Sequence, residues 1–122
     1  MTLVGWGGAL QAAQAAADQL AQDGVLAEVI DVATLKPLDM ETILASVAKT
    51  GRCVIVHEAP RTSGFGAEIA ANLAEHGLYS LLAPVQRVTG YDVVMPLPRL
   101  ENQYLPGVER ILAAVRKTLE AA

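Results

Sequence analysis

The stretch Gly51–Gly66, GRCVIVHEAPRTSGFG, decides the fold. It opens on a glycine of the kind that ends helices, and Cys53-Val54-Ile55-Val56 then make an unbroken apolar run. A short apolar run bounded by turn residues reads as a strand buried on both faces, which is the habit of a parallel sheet covered by helices. His57, Glu58 and Arg61 come just past that run, and Thr62-Ser63-Gly64-Phe65-Gly66 leads into a helix. In open sheets of this kind, ligands and partners meet the carboxyl ends of the strands, so the same stretch raises the question of chemistry.

On the amino-terminal side, Thr2–Trp6 reads as a strand and Gly7-Gly8 as the turn out of it. Leu10, Ala13, Ala17 and Leu20 recur at helical spacing over Ala9–Asp23, and Gly24 closes that helix. Leu26–Asp31 is the next strand. Asp39 is a good N-cap for a second helix whose apolar face is Met40, Ile43, Leu44 and Val47. On the other side, Gly66–His76 is a third helix and Pro84–Thr89 a fourth strand. Tyr91–Pro106 carries three prolines, which exclude a central strand. A last helix from Gly107 has the stripe Val108, Ile111, Leu112, Val115 and Leu119. Strands alternating with helices predict one α/β domain with a mostly parallel sheet and helices on both faces. The chain opens almost directly on a strand, as a piece cut from a longer protein would.

At 122 residues, with 52% hydrophobic but 4% aromatic residues, the chain can bury an aliphatic core. Its formal net charge is −4 and it has no basic run, which argues against nucleic acid. No apolar segment approaches the ~20 residues of a membrane span, and the N-terminus lacks a signal-peptide pattern. The lone Cys53 fits a reducing cytoplasm. Two histidines and one cysteine far apart give no metal-ligand spacing.

Three places could carry chemistry. Gly5-Trp6-Gly7-Gly8 with Asp31 imitates a dinucleotide fingerprint, but Leu10 stands where the third glycine belongs, and a tight strand-to-helix turn explains the glycines equally. Ser63-Gly64-Phe65-Gly66 could cradle an anion at a helix N-terminus, or simply cap and pack it. His57 beside Glu58 and Arg61 is the best acid–base group, since a histidine next to a carboxylate can shuttle protons. No nucleophile accompanies it: Cys53 belongs to the core by alternation. A hydrogen-bonded histidine at a strand end, or an interface contact, is the plainer reading, and His76 is a favourable charge at a helix C-terminus. Arg87 and Asp92 flank Thr89-Gly90-Tyr91. Tyr91, Tyr104 and the prolines supply rigid amphipathic surface, suited to an interface or to packing of the loop on its own domain.

Four segments, taken in order, resemble one family: AEVIDVATLKPLD, SVAKTGRCVIVHEAPRTSGFGAEIAA, APVQRVTGYDVVMP and LENQYLPGVERI. The family is the C-terminal domain of the beta subunit of thiamine-diphosphate-dependent 2-oxo acid dehydrogenases, the decarboxylase components of the pyruvate and branched-chain complexes, with acetoin dehydrogenase nearby. The resemblance spans nearly the whole chain. It implies a three-layer α/β/α sandwich of the transketolase C-terminal type, usually with five strands, one of them antiparallel at an edge. Four are counted here, so the fifth is expected upstream of Met1. It further implies that the parent enzyme uses thiamine diphosphate and magnesium, and that both are held by the alpha subunit and the beta subunit's N-terminal domain. This chain alone would then be inactive and bind no cofactor. The partners implied are the alpha subunit and second beta subunit of a heterotetramer, and the subunit-binding domain of the dihydrolipoyl acyltransferase core. The fragment itself is expected to form a homodimer. His57, Glu58, Arg61, Gly64, Arg87, Asp92 and Tyr104 carry over as interface or docking positions. Pro106 carries over as a structural one. The alternative keeps His57 and Glu58 as the catalytic pair of a free-standing small enzyme. One departure is clear: the family's Asp-Leu-Arg-Thr is Asp31-Val32-Ala33-Thr34 here, so a charge and up to five donors are missing.

Overall fold

A computed structural model of the chain describes residues 1–121. Four parallel strands, β1 (Thr2–Gly5), β2 (Glu28–Asp31), β3 (Cys53–Pro60) and β4 (Gln86–Gly90), form one sheet in the order β2-β1-β3-β4. The helices are α1 (Ala9–Gln22), α2 (Met40–Thr50), α3 (Phe65–His76), a one-turn α4 (Glu101–Tyr104) and α5 (Val108–Glu120).

Strand alternation assigns the two faces. Leu3, Val54, Val56 and Val88 point to a core shared with α1 and α5, through Ala13, Ala16, Leu20, Ile111 and Val115. Val4, Cys53 and Ile55 point the other way, to Ile43 and Val47 of α2 and Ile69 and Leu73 of α3. The result is the three-layer α/β/α sandwich expected. The alanines of α1 are what let that helix lie close, since Ala9, Ala13, Ala16 and Ala17 are all buried.

Local signals act where they were expected. Asp39 Oδ1 accepts from the Thr42 backbone N–H at 3.0 Å, and the Thr42 hydroxyl donates to Oδ2 at 2.6 Å, satisfying orphan groups at the start of α2. Gly51 ends α2 at φ +74°, a left-handed conformation that strains any residue with a Cβ.

Four expectations need correction. β3 does not stop at Val56 but runs to Pro60, so His57 and Glu58 are strand residues on opposite faces. β2 begins at Glu28, with Leu26 outside it and exposed. The apolar stripe of α5 ends differently: Leu119 is exposed and Thr118 is buried, because the Thr118 hydroxyl donates to the Val115 carbonyl at 2.7 Å and so needs no water. The loop Tyr91–Pro106, read as irregular, contains the short α4.

The connections that leave β1 and β3 run in opposite directions, through α1 on one face to β2 and through α3 on the other face to β4. This is the switch point of the sheet, where α/β proteins form their binding crevice.

Candidate functional site at the carboxyl end of the sheet

The crevice at the switch point is bounded by Gly5-Trp6-Gly7-Gly8 after β1 and by His57-Glu58 in β3. The chain's own side chains fill it. His57, on the α3 face, is fully buried. The Trp6 ring stacks on it at 5.2 Å between centroids, and Phe65 meets Trp6 edge-on at 5.9 Å. The opposite edge of the imidazole lies in a slot made by two glycines. A Cβ on Gly66 would stand 2.6 Å from His57 Cδ2 and Nε2, and one on Gly64 2.8 Å from Cε1. The glycines of the SGFG segment therefore make room for a side chain rather than cradle an anion.

Neither ring nitrogen of His57 has a hydrogen-bond partner among the described residues. Burial lowers its pKa below the ordinary 6.5 and Arg87 pushes the same way, with the Ala59 backbone acting in the opposite sense. The hydrogen-bonded strand-end histidine of the sequence reading is thus replaced by a neutral ring held by packing. As an interface residue His57 can act only through the loop it supports, because none of its surface is free.

Glu58 points to the other face, where its Oε1 stands against Gly8 so closely that a Cβ there could not fit. His57 and Glu58, adjacent in sequence, do not form a pair: alternation along β3 sends them to opposite sides of the sheet. Glu58 also bears on the nucleotide reading. The Gly5–Gly8 backbone that would have to approach a pyrophosphate already faces a carboxylate. For the same reason these residues do not suit a diphosphate cofactor such as thiamine diphosphate. No group of three or more His, Cys, Asp or Glu side chains gathers to hold a metal among the described residues. Burial pushes the Cys53 thiol up to about 12, which removes it as a nucleophile.

The remaining site residues form a lattice between two loops. Arg61 Nη1 donates to the Arg87 carbonyl at 3.0 Å, and Arg87 Nη1 donates back to the Arg61 carbonyl at 3.2 Å. Asp92 accepts from the Thr62 backbone N–H at 2.9 Å and from its hydroxyl at 2.6 Å. These bonds hold the Asp92 carboxyl below its usual range, led by the Thr62 hydroxyl. Arg61, Arg87 and Asp92 are thus brought together, whereas the sequence reading set Arg61 beside His57 and Glu58 and placed Arg87 and Asp92 on either side of Thr89-Gly90-Tyr91. Gly64 joins His57 instead.

Tyr104 is buried, with its hydroxyl over Gly90: a Cβ there would lie 2.6 Å from that oxygen. It forms a wall of the site more than a free contact. Arg110, which sequence reasoning passed over, ties this region together. Its Nη2 donates to the Thr89 carbonyl at 2.6 Å, its Nη1 donates to the Tyr104 carbonyl at 3.2 Å, and the guanidinium lies 4.6 Å from the Tyr91 ring centroid. The only available signal was its place beside Ile111 on the edge of the apolar stripe, where a charge is ordinarily solvated.

Outside this frame the loop is apolar and exposed. Tyr91, Val93, Val94, Met95, Leu97 and Leu100 all leave large hydrophobic surface in water, with Val94 at 92% and Leu97 at 82%. Tyr91, Val94, Leu100 and Tyr104 line an open groove of about 400 Å³. Ala33, at the opposite edge beyond β2, lines a hollow of about 200 Å³ with Asp31, Thr34 and Asp39.

An α/β/α domain with a filled crevice and an apolar carboxyl-end surface matches one family model. Residues 1–111 fit the transketolase C-terminal domain, and the chain belongs to that family. Its relatives include the pyruvate dehydrogenase E1 component subunit beta of Staphylococcus epidermidis, 44% identical over 98% of this chain and 37% of that protein. The 2-oxoisovalerate dehydrogenase subunit beta of Pseudomonas aeruginosa is 49% identical over 98% of this chain and 33% of its own length. A solved structure described as a split gene transketolase, inactive beta4 tetramer, superposes with a TM-score of 0.85 at 33% identity, covering 98% of this chain and 38% of that one. The chain therefore spans little more than a third of the proteins it matches.

Proposed function

We propose that this chain is the C-terminal assembly and docking domain of the beta subunit of a 2-oxo acid dehydrogenase decarboxylase component, acting on pyruvate or a branched-chain 2-oxo acid. The similarity to beta subunits of both classes supports the reading. The observation that carries it is the closed crevice, in which His57 is shut between Trp6 and two glycines and Glu58 is turned away. A buried imidazole with no partner and no reachable nucleophile can support a loop but cannot exchange a proton with substrate.

In the parent enzyme, thiamine diphosphate with magnesium supplies the decarboxylation chemistry, and the acyl group passes to a lipoyl arm. The residues of this chain serve that reaction by position only. The Trp6–His57–Gly66 packing fixes the loop after β3, the Arg61–Arg87 and Thr62–Asp92 bonds fasten it to the loop after β4, and the two together present a rigid surface to neighbouring subunits. The partners proposed are an alpha subunit, a second beta subunit and the subunit-binding domain of the dihydrolipoyl acyltransferase core, in the cytoplasm. The reading frame that carries the chain tests this: a thiamine-binding domain encoded upstream, beside an alpha-subunit frame, is the expected result, and an upstream region with neither contradicts it.

A further inference from the structure

We propose that His57 is a pH-operated latch on the loop after β3: on taking up a proton the ring leaves its slot, and the bonds that fasten this loop to the loop after β4 are released with it. Only the consequence, a docking surface that loosens in acid, rests on the assembly-domain reading. The seat of the ring is the first ground. His57 has no exposed surface, and neither of its nitrogens has a hydrogen-bond partner among the described residues. A neutral imidazole leaves one donor and one acceptor unmet there. An imidazolium would bring two donors and a charge into a place closed to solvent.

What surrounds the ring is the second. The turn after β1 presents the Trp6 ring, with Phe65 edge-on behind it, and the start of α3 presents Gly64 and Gly66. None of these carries a charge. Glu68, the acid in the first turn of α3, bonds to the Asn72 amide instead. Within β3, alternation turns Glu58 to the opposite face, and only the Ala59 backbone favours a protonated ring. The charge that bears on the ring comes from β4: Arg87, of the same sign as an imidazolium. No carboxylate pairs with His57 among the described residues. A second proton is therefore far easier to hold outside the slot than in it.

The segment is also free to move. β3 and β4 pair at Val54–Val56 and next at Pro60, which lies opposite Gly90. Between those pairs β3 places His57, Glu58 and Ala59 against the single Thr89 of β4, an irregularity of the bulge kind that interrupts the ladder. The ring can leave without unzipping the apolar run Cys53–Val56. Its departure empties the slot at Gly64 and Gly66, just past Arg61 and Thr62. Arg61 and Arg87 exchange bonds with each other's carbonyls, and Asp92 clamps Thr62, so motion at the slot is carried to both loops. The Asp92 carboxyl is held below its usual range and stays ionised in mild acid, which leaves His57 as the trigger.

The test is residue-resolved hydrogen exchange by NMR on the folded chain between about pH 7 and pH 5, read as protection factors, with the titration of the His57 ring signals followed alongside. An opening that takes up one proton becomes about tenfold more populated for each pH unit below 6.5, down to the lower native value. Protection of the Thr62 and Ala67 amides, which bond to Asp92 and Gly64, should fall with that slope while the amides of Val54–Val56 stay better protected. His57→Leu should abolish the fall, and His76→Gln, at the far end of α3, should leave it unchanged. A fall that persists in His57→Leu overturns the proposal. So can the wild type alone, whether or not that variant folds: through loop protection that does not change with pH, loop amides as protected as the core throughout, or a His57 ring that titrates only when the core opens. Each of these leaves the assembly-domain reading standing, which cofactor binding by the chain on its own would contradict instead.

Discussion

His57 is the residue on which sequence and structure diverge most usefully. Its neighbours in sequence, a carboxylate and an arginine, gave it the look of an acid–base group. Its place in the sheet makes it a packed, neutral ring. The lowered pKa has a consequence for stability. The unfolded chain takes up a proton near pH 6.5 while the native chain resists it, so the contribution of the neutral ring is complete above that pH and is lost as pH falls through 6.5 toward the lower native value. We expect unfolding free energy to drop between pH 7 and pH 5, followed by the fluorescence of Trp6, the sole tryptophan, which stacks on the ring. The slope should largely vanish in His57→Leu; an equal slope there would show that other groups carry it. The glycine slot makes a second prediction. Alanine ordinarily favours a helix over glycine by about 1 kcal/mol, yet Gly66→Ala should destabilise by roughly 1–3 kcal/mol because its Cβ has no room beside the imidazole. In a His57→Ala background the same change should become neutral or favourable, a coupling that a urea double-mutant cycle measures directly. A purely additive pair would mean that the slot does not depend on the ring.

At the scale of elements, much was legible in the sequence. The apolar run Cys53–Val56 announced the central strand, Asp39 and Gly51 marked both ends of α2, and the alanine spacing of α1 gave its buried face. What could not be read was which polar side chains hydrogen bonds would draw out of water. Thr118 replaced Leu119 in the core because its hydroxyl finds a carbonyl within its own helix, a choice periodicity does not see. Arg110 was invisible for a similar reason. Its two carbonyl partners lie 6 and 21 residues back in the chain, and nothing local links them. It joins α5 to the end of β4 and to α4, and its loss should loosen that corner. Arg110→Lys keeps the charge but cannot reach both carbonyls, so it should cost about 1–2 kcal/mol in chemical denaturation. Hydrogen exchange should rise first in residues 89–104. A lysine variant as stable as the wild type, with unchanged exchange, would reduce Arg110 to a surface charge.

At the scale of the whole molecule, family membership was written in the order of four motifs, while the emptiness of the chemistry was not. A sequence shows which reactive residues are present. Only the alternation along β3 and the filling of the switch point reveal that His57 and Glu58 face apart and that the usual binding crevice is occupied from within. On the proposed reading the domain is a scaffold whose information lies on its surface: fastened arginines, a clamped aspartate and an apolar loop. The central claim is that catalysis belongs to other parts of the parent enzyme. The most direct measurement is isothermal titration calorimetry of the folded chain with thiamine diphosphate and magnesium, alongside an assay for 2-oxo acid decarboxylation. The account predicts no saturable heat and no turnover. Stoichiometric binding of the cofactor, or decarboxylation by this chain alone that is lost in His57→Ala, would contradict it.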